Sequence, residues 1–415
     1  MAAAPEVEPL REGAALTAHD PDFRADPDAC YDPLRAAAPL YWDAAYGRYL
    51  VTRYADARQV LRQREFSVDA RQSRADSYLR RLAGTGVAPG AGEGAYEPPL
   101  VLLDDPAHRR VRQLMSKAFT PRAIEAMRPR IVAITRQQLA SLAGETDIDF
   151  IERYAGPLPT RIIAEMMGLP AADCPDLKRW SDAILQGYDP ERDATTQRLL
   201  RDSYIAMSGL FRDTLAARRR APREDLISAM VRAQESRDRL SDLEIISLCT
   251  QLLVAGNVTT TDLMGNGLHA LLQHPEQCLK LRARPELITQ AVDEMLRYDC
   301  PLTETGRIAL TETRVGGCPV AHGDTLTVAL AAANHDAAQF ADPHVFDIER
   351  DATAHLAFGS GSHVCLGAPL ARLEGEICLQ AFIEHFPQLR AGSAPPTRRE
   401  LPFFRGFVRL PVCVV

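Results

Sequence analysis

Lysine is almost missing from this sequence: of 48 basic residues only Lys117, Lys178 and Lys280 are lysines, and arginine supplies the rest. The net charge is −7, so there is no overall basic balance of the kind that phosphate neutralisation needs, and nucleic-acid binding is excluded as the main activity. The opening residues, MAAAPEVEPLREGAALTAHDPDF, contain no apolar stretch of the sort found in a secretory signal. No run approaches the ~18 consecutive apolar residues of a membrane span. These absences predict a soluble, cytoplasmic protein without a membrane partner, with residues 1–22 as a flexible tail. Nine cysteines occur without a C-x-x-C pair, which fits neither a disulfide framework nor a zinc site. Most are expected to be small buried hydrophobes.

No internal repeat or polar linker divides the 415 residues, so the chain reads as one domain, 1–415. Leu40 to Arg53 has the alternation of a β-hairpin, with Gly47 near its turn, and a short helix is expected over Ala55–Gln63. Five glycines between Gly84 and Gly94 mark a loop. From Asp105 to about Ala233 the apolar period is helical, broken at Pro121, Gly156-Pro157, Pro170, Pro190 and Pro222. The longest helix is predicted over Asp242–His274 and is apolar on nearly every face, so it should be buried. A further helix covers Glu286–Tyr298. Short strands follow Pro301, a last helix runs from just past Cys365 to Phe386, and FFRGFVRLPVCV reads as a closing strand pair. The fold class is mainly α with small β-sheets near both chain ends.

One cysteine is set apart by its surroundings, HLAFGSGSHVCLGAPLARLEGE. Gly359, Gly361 and Gly367 flank Cys365, and glycine serves where a backbone turns sharply or approaches a flat ligand. A helix follows at once, with Pro369 in its first turn. A cysteine at a helix N-terminus meets free N–H groups and a partial positive charge, both of which favour its thiolate. Phe358, Gly359, Gly361, His363, Cys365 and Gly367 together resemble the signature F-G-x-G-x-H-x-C-x-G of cytochrome P-450. Other segments resemble that family in its order. His108 and Arg112 stand at an H-x-x-x-R pattern, AGNVTTTD from Ala255 resembles the oxygen-binding segment, Glu294 and Arg297 form E-x-x-R, and Arg307 and Arg350 follow.

The resemblance implies a P-450 fold in which the long central helix crosses haem b and the cysteine loop lies beneath it. Cys365 is then the iron ligand, with Ala255, Gly256, Phe358, Gly359 and Gly367 against the haem. His108, Arg112, Arg307 and His363 hold its propionates, and His355 is structural. Glu294, Arg297 and Arg350 form a structural network. Thr259 handles oxygen and protons, its hydroxyl back-bonded to Ala255 in a helix locally opened at Gly256. The family usually has an acid just before this threonine, whereas this chain has Val258, which can relay no proton. Asn257 and Asp262 are the nearby candidates to compensate.

The substrate pocket is expected to comprise Val254, Val258, Leu302, Thr303, Phe403 and Phe404, an apolar lining suited to a hydrophobic small molecule, with the glycine-rich stretch as its lid. The implied activity is insertion of one oxygen atom from O2, with NAD(P)H electrons arriving through a separate ferredoxin and its reductase. Arg109, Arg110, Lys117 and Arg372 are candidates for the docking face. Val258 leaves peroxide-driven oxidation and nitric oxide reduction open as alternatives. A non-enzymatic haem-thiolate gas sensor and a haem scaffold without turnover are further alternatives.

Overall fold

The computed structural model describes residues 11–84, 97–234 and 240–414. Its axis is the helix Asp242–Gln273, one residue shorter than expected. A capping box starts it: Ser241 Oγ accepts from the Glu244 N–H at 3.1 Å, and the Glu244 carboxylate accepts from the Ser241 N–H at 2.7 Å. By length and composition it is the one described helix able to cross a membrane, yet 61% of its most apolar window is buried in the protein. A helix apolar on every side needs such a casing, and the helices Pro157–Met167, Cys174–Leu185, Ala194–Arg220, Ile288–Tyr298 and Ala368–His385 provide it.

The predicted breaks fall where helices end. Pro121 and Pro157 occupy first turns, where the missing N–H costs nothing. Pro170, Pro190 and Pro222 lie between helices. The helix placed at Glu286 starts at Ile288, because Pro285–Leu287 forms a separate 3₁₀ turn.

Strands β1 (Leu40–Asp43), β2 (Arg48–Val51) and β3 (Phe66–Ser67) join β5 (Glu304–Ala309) and β8 (Thr325–Ala329) in one sheet of order β1-β2-β8-β5-β3. The sheets expected near the two chain ends are thus largely a single sheet, in which β2 pairs β8 in parallel. Strand β4 is Asp147–Asp149, and β6 (Thr313–Val315) and β7 (Cys318–Val320) form a small hairpin. The tail corrects the expected strand pair. Here β11 (Phe407–Arg409) pairs β10 (Thr397–Arg398), whereas β12 (Pro411–Cys413) pairs β4 and β9 (Arg390–Ala391). Only Leu410 separates β11 from β12, too little chain for a turn, so the two strands enter different sheets.

The N-terminal segment also differs from expectation. Residues 11–22 pack on the body, with Leu16 buried in a 3₁₀ turn and Asp20 capping the helix Pro21–Ala25. Beyond Gly84, the glycine-rich stretch lies outside the described residues.

Glu294 and Arg297 are fully buried and bond bidentately at 2.7 and 2.8 Å. Arg350 Nε reaches the same carboxylate at 3.2 Å. Arg297 also donates to the carbonyls of Asn334 and Pro343. The Asn334 side chain in turn accepts from the Leu356 N–H at 2.7 Å, which ties this helix to the segment leading into the cysteine loop. Arg297→Ala removes the bidentate partner of the buried Glu294 and leaves it only the longer bond to Arg350 and the Asp347 N–H. It is expected to cost about 3–5 kcal/mol, read as a lower urea midpoint.

His269, on the central helix, is held down to about 4 by burial and then by the Arg398 charge. Unfolded, an imidazole takes its proton below about 6.5. The stability contributed by the neutral ring is therefore complete above that pH and is lost as pH falls toward 4. His269→Gln should flatten the decline of the denaturation midpoint in that window.

Candidate functional site

The cysteine loop is shaped by two glycines in left-handed backbone, Gly359 (φ +69) and Gly361 (φ +76). A Cβ on Gly361 would lie 2.5 Å from the Leu61 carbonyl, so this close approach to the helix Tyr54–Arg62 needs glycine. The Cys365 N–H donates to the Phe358 carbonyl at 2.8 Å. Burial pushes the Cys365 thiol up, while the N–H groups of Gly367 and Ala368 and the charges of Arg112 and Arg372 pull it down. The helix N-terminus therefore acts as expected, but burial outweighs it. The residue is nevertheless exposed to solvent. We read a sulfur crowded by neighbours in an exposed residue as lining a cleft.

A second accessible surface occurs where none would be expected, midway along the buried central helix. Ala255 is exposed, with Leu252, Gly256 and Thr259 partly so, and these positions share one helical face. Thr259 Oγ1 donates to the Ala255 carbonyl at 2.6 Å, the expected back-bond, but the helix continues unbroken through Gly256. A Cβ added to Gly256 would meet nothing within 4 Å.

The four candidate propionate partners converge. The rings of His108 and His363 lie 4.1 Å apart. His363 is held down to about 3 by burial and then by Arg307, His108 and Arg112. Burial brings Arg307 down to about 10, and its bonds run to the Thr305 hydroxyl and the Gly306 carbonyl. Among the described residues, neither Arg112 nor Arg307 has a carboxylate at ion-pair distance. His108 Nε2 is buried without a partner. Buried cations left uncompensated are costly, and a ligand bearing two carboxylates would compensate them through charge-assisted bonds. These residues fit a haem: a sulfur for iron, nitrogen donors for the propionates, and a glycine face that a flat ring can approach.

Other expectations fare differently. His355 is structural as read: its Nε2 lies 3.3 Å from Asp293, and its Nδ1 accepts from the Ala357 N–H. Val254 and Val258 belong to the core beside the accessible stripe, at 8% and 2% exposure, because the helix turns them about 100° away from Ala255 and Thr259. Leu302, Thr303, Phe403 and Phe404 do come together. Leu302 bridges Phe404, and Thr303 donates twice to the Phe403 carbonyl. Phe403 is stacked with Tyr78 and edge-on to Tyr188. Those two tyrosines escaped the sequence reading because no local pattern links them to the tail. Arg372 bonds Asp293 at 2.7 Å and covers the Phe358 ring, so it braces the loop rather than standing free. Arg109 and Arg110 pair with Asp105 and Glu244. Asn257 is fully buried with both side-chain atoms unpartnered.

A family model described as "Cytochrome P450" matches residues 191–412. The chain is 38% identical to cytochrome P450 107B1 of Saccharopolyspora erythraea over 88% of each protein. It is 37% identical to 6-deoxyerythronolide B hydroxylase of the same organism, over 94% of this chain and 96% of that one. The crystal structure of P450BioI in complex with an acyl carrier protein ligated to hexadec-9Z-enoic acid superposes with a TM-score of 0.85 at 34% identity, covering 94% of this chain and 99% of the other.

In the reduced protein with carbon monoxide, Cys365→His is expected to move the Soret band from the red-shifted position of thiolate ligation to that of imidazole ligation. A Cys365→Ala protein that kept the thiolate band would place the ligand elsewhere.

Proposed function

Since the chain belongs to the cytochrome P450 family and is a monooxygenase of it, we propose that it works as a single haem b domain, with Cys365 as the iron ligand. On this reading it oxidises a hydrophobic small molecule with electrons from a separate ferredoxin and reductase. The observations that carry this are an exposed Cys365 at a glycine-shaped helix N-terminus and, on an otherwise buried helix, an accessible face of Leu252, Ala255, Gly256 and Thr259. Haem ligated by a thiolate supplies activation of O2, so that one oxygen atom enters the substrate and the other leaves as water.

The protein's own residues do the rest. His108, Arg112, Arg307 and His363 bind and orient the propionates. Glu294, Arg297, Arg350 and Arg372 hold the loop that carries the sulfur. Thr259 moves protons through its hydroxyl, which has a lone pair to accept while it donates to Ala255. Leu302, Thr303, Phe403 and Phe404 shape the apolar side of the pocket. A hydrophobic substrate is supported by this lining and by two relatives, one named a 6-deoxyerythronolide B hydroxylase and one crystallised with an acyl carrier protein ligated to hexadec-9Z-enoic acid. Val258, buried and apolar in the usual acid position, favours a second reading, peroxide-driven or nitric-oxide-reducing chemistry.

Electron supply separates the two. Arg109 and Lys117 are exposed at and just beyond the helix Ala107–Ser116, whose Arg112 acts on Cys365, which suits an acidic donor protein. NADH or NADPH alone is expected to sustain no turnover. Adding ferredoxin and reductase should start product formation, at a rate that falls as salt screens the docking charges. Rapid reduction by NADH alone, or turnover with peroxide only, would favour the second reading.

A further inference from the structure

Beyond Thr259 the accessible stripe of the central helix ends, but its face continues through Asp262, Asn266 and His269, three, seven and ten residues on. Asp262 is fully buried. Its Oδ1 accepts from Arg399 Nη2 at 3.1 Å, while its Oδ2 has no partner, and neither has Arg399 Nε. A Cβ at Gly406 would come within 2.0 Å of Asp262 Oδ1, and the Arg399 N–H donates to the Gly406 carbonyl at 2.9 Å. The tail therefore grips this carboxyl through an arginine and a glycine.

The polar path goes on from there. The Asn266 amide donates to the carbonyls of Asp299 and Arg405 and accepts from Arg398. Asp299 takes Arg398 at 2.8 Å and Arg405 at 2.6 Å. Arg398, Arg399 and Arg405 border, with Thr303 and Glu304, a cavity of about 20 Å³, roomy enough for about one water.

A carboxyl kept only for structure would have both oxygens bonded, since an unpaired buried acceptor is costly. The alternatives near Thr259 fall short. Val258 holds no proton, and Asn257 has an amide that does not titrate and lies on the far side of the helix. We propose that Asp262, held by Arg399, is the proton-holding group that serves Thr259 in place of the acid usual at Val258. This rests on the monooxygenase reading.

Asp262 acts through Thr259 and is a positioning residue. A proton leaves Oδ2 of the neutral carboxyl and passes to the Thr259 hydroxyl, three residues back on the same helical face, which releases its own proton into the cleft. The resulting carboxylate, facing the Arg399 charge, takes up one hydronium proton from solvent, so that protons balance and no electrons move. Burial pushes Asp262 up from the ordinary carboxylate range while Arg399 pulls it down, with Lys178 and Asp182 as the more distant charges.

The test uses the full, haem-loaded chain and Asp262→Asn. The thiolate Soret band and substrate affinity should stay unchanged. The product-to-NADPH ratio should fall about tenfold or more, with peroxide taking the missing electrons, and the wild-type-minus-variant infrared difference spectrum should show a lost protonated-carboxyl stretch, the band of the buried Glu374 cancelling in the difference. An unchanged product-to-NADPH ratio in Asp262→Asn, or a difference spectrum without that band, overturns the proposal. Should Asp262→Asn not fold, Asp262→Glu takes its place: a displaced carboxyl stretch supports the relay, and an unmoved spectrum overturns it. Wild-type protein that makes no product with ferredoxin and reductase would instead strike the monooxygenase reading, a failure separate from the infrared result.

Discussion

Two charges buried together hold this structure in shape. Glu294 and Arg297 are three residues apart on one helix, so their bond is local and could form in an isolated peptide, where water would make it nearly worthless. Here both are removed from solvent entirely. That desolvation is repaid only because Arg297 also reaches the Asn334 and Pro343 carbonyls and Glu294 also accepts from Arg350 and the Asp347 N–H. The extra partners all come from the segment that leads into the cysteine loop. Fixing the pair therefore fixes that segment, and the loop that follows.

The cleft shows the opposite arrangement, in which interactions are left incomplete. Midway along its length the otherwise sheathed central helix opens along Leu252, Ala255, Gly256 and Thr259. Among the described residues Arg112 and Arg307 have no carboxylate at ion-pair distance, unlike Arg218 with Asp225 or Arg48 with Asp43 and Glu304. Left without such a partner, the two guanidiniums beside His108 and His363 suit an anionic ligand.

The tail makes a third use of buried charge. Arg398, Arg399 and Arg405 meet Asp262 and Asp299 behind the central helix. Arg398 lies over Phe407, Arg405 donates to the carbonyls of Arg24 and Ala25, and Gly406 makes room for Asp262 beside Arg399. The polar face of the helix thus continues inward from the cleft rather than stopping at Thr259.

Much of this was legible in the residue order, because the signals are local. The glycine spacing around Cys365 reports a backbone turn, the apolar period of 242–273 reports a buried helix, and E-x-x-R puts its partners on one face. Each depends on neighbours a few residues away. Tertiary structure alone decided the rest. Val258 is adjacent to Thr259 in sequence, yet the helical turn sends it into the core and Thr259 to the cleft. Asp262 and Arg399 are 137 residues apart, and Phe403 meets Tyr78 and Tyr188 from elements equally remote. Strands β11 and β12 look like partners but pair with different sheets, β12 with residues 147–149. Contacts of this kind are set by how the helices and sheets close on one another, and a one-dimensional period of two or 3.6 residues carries no trace of them.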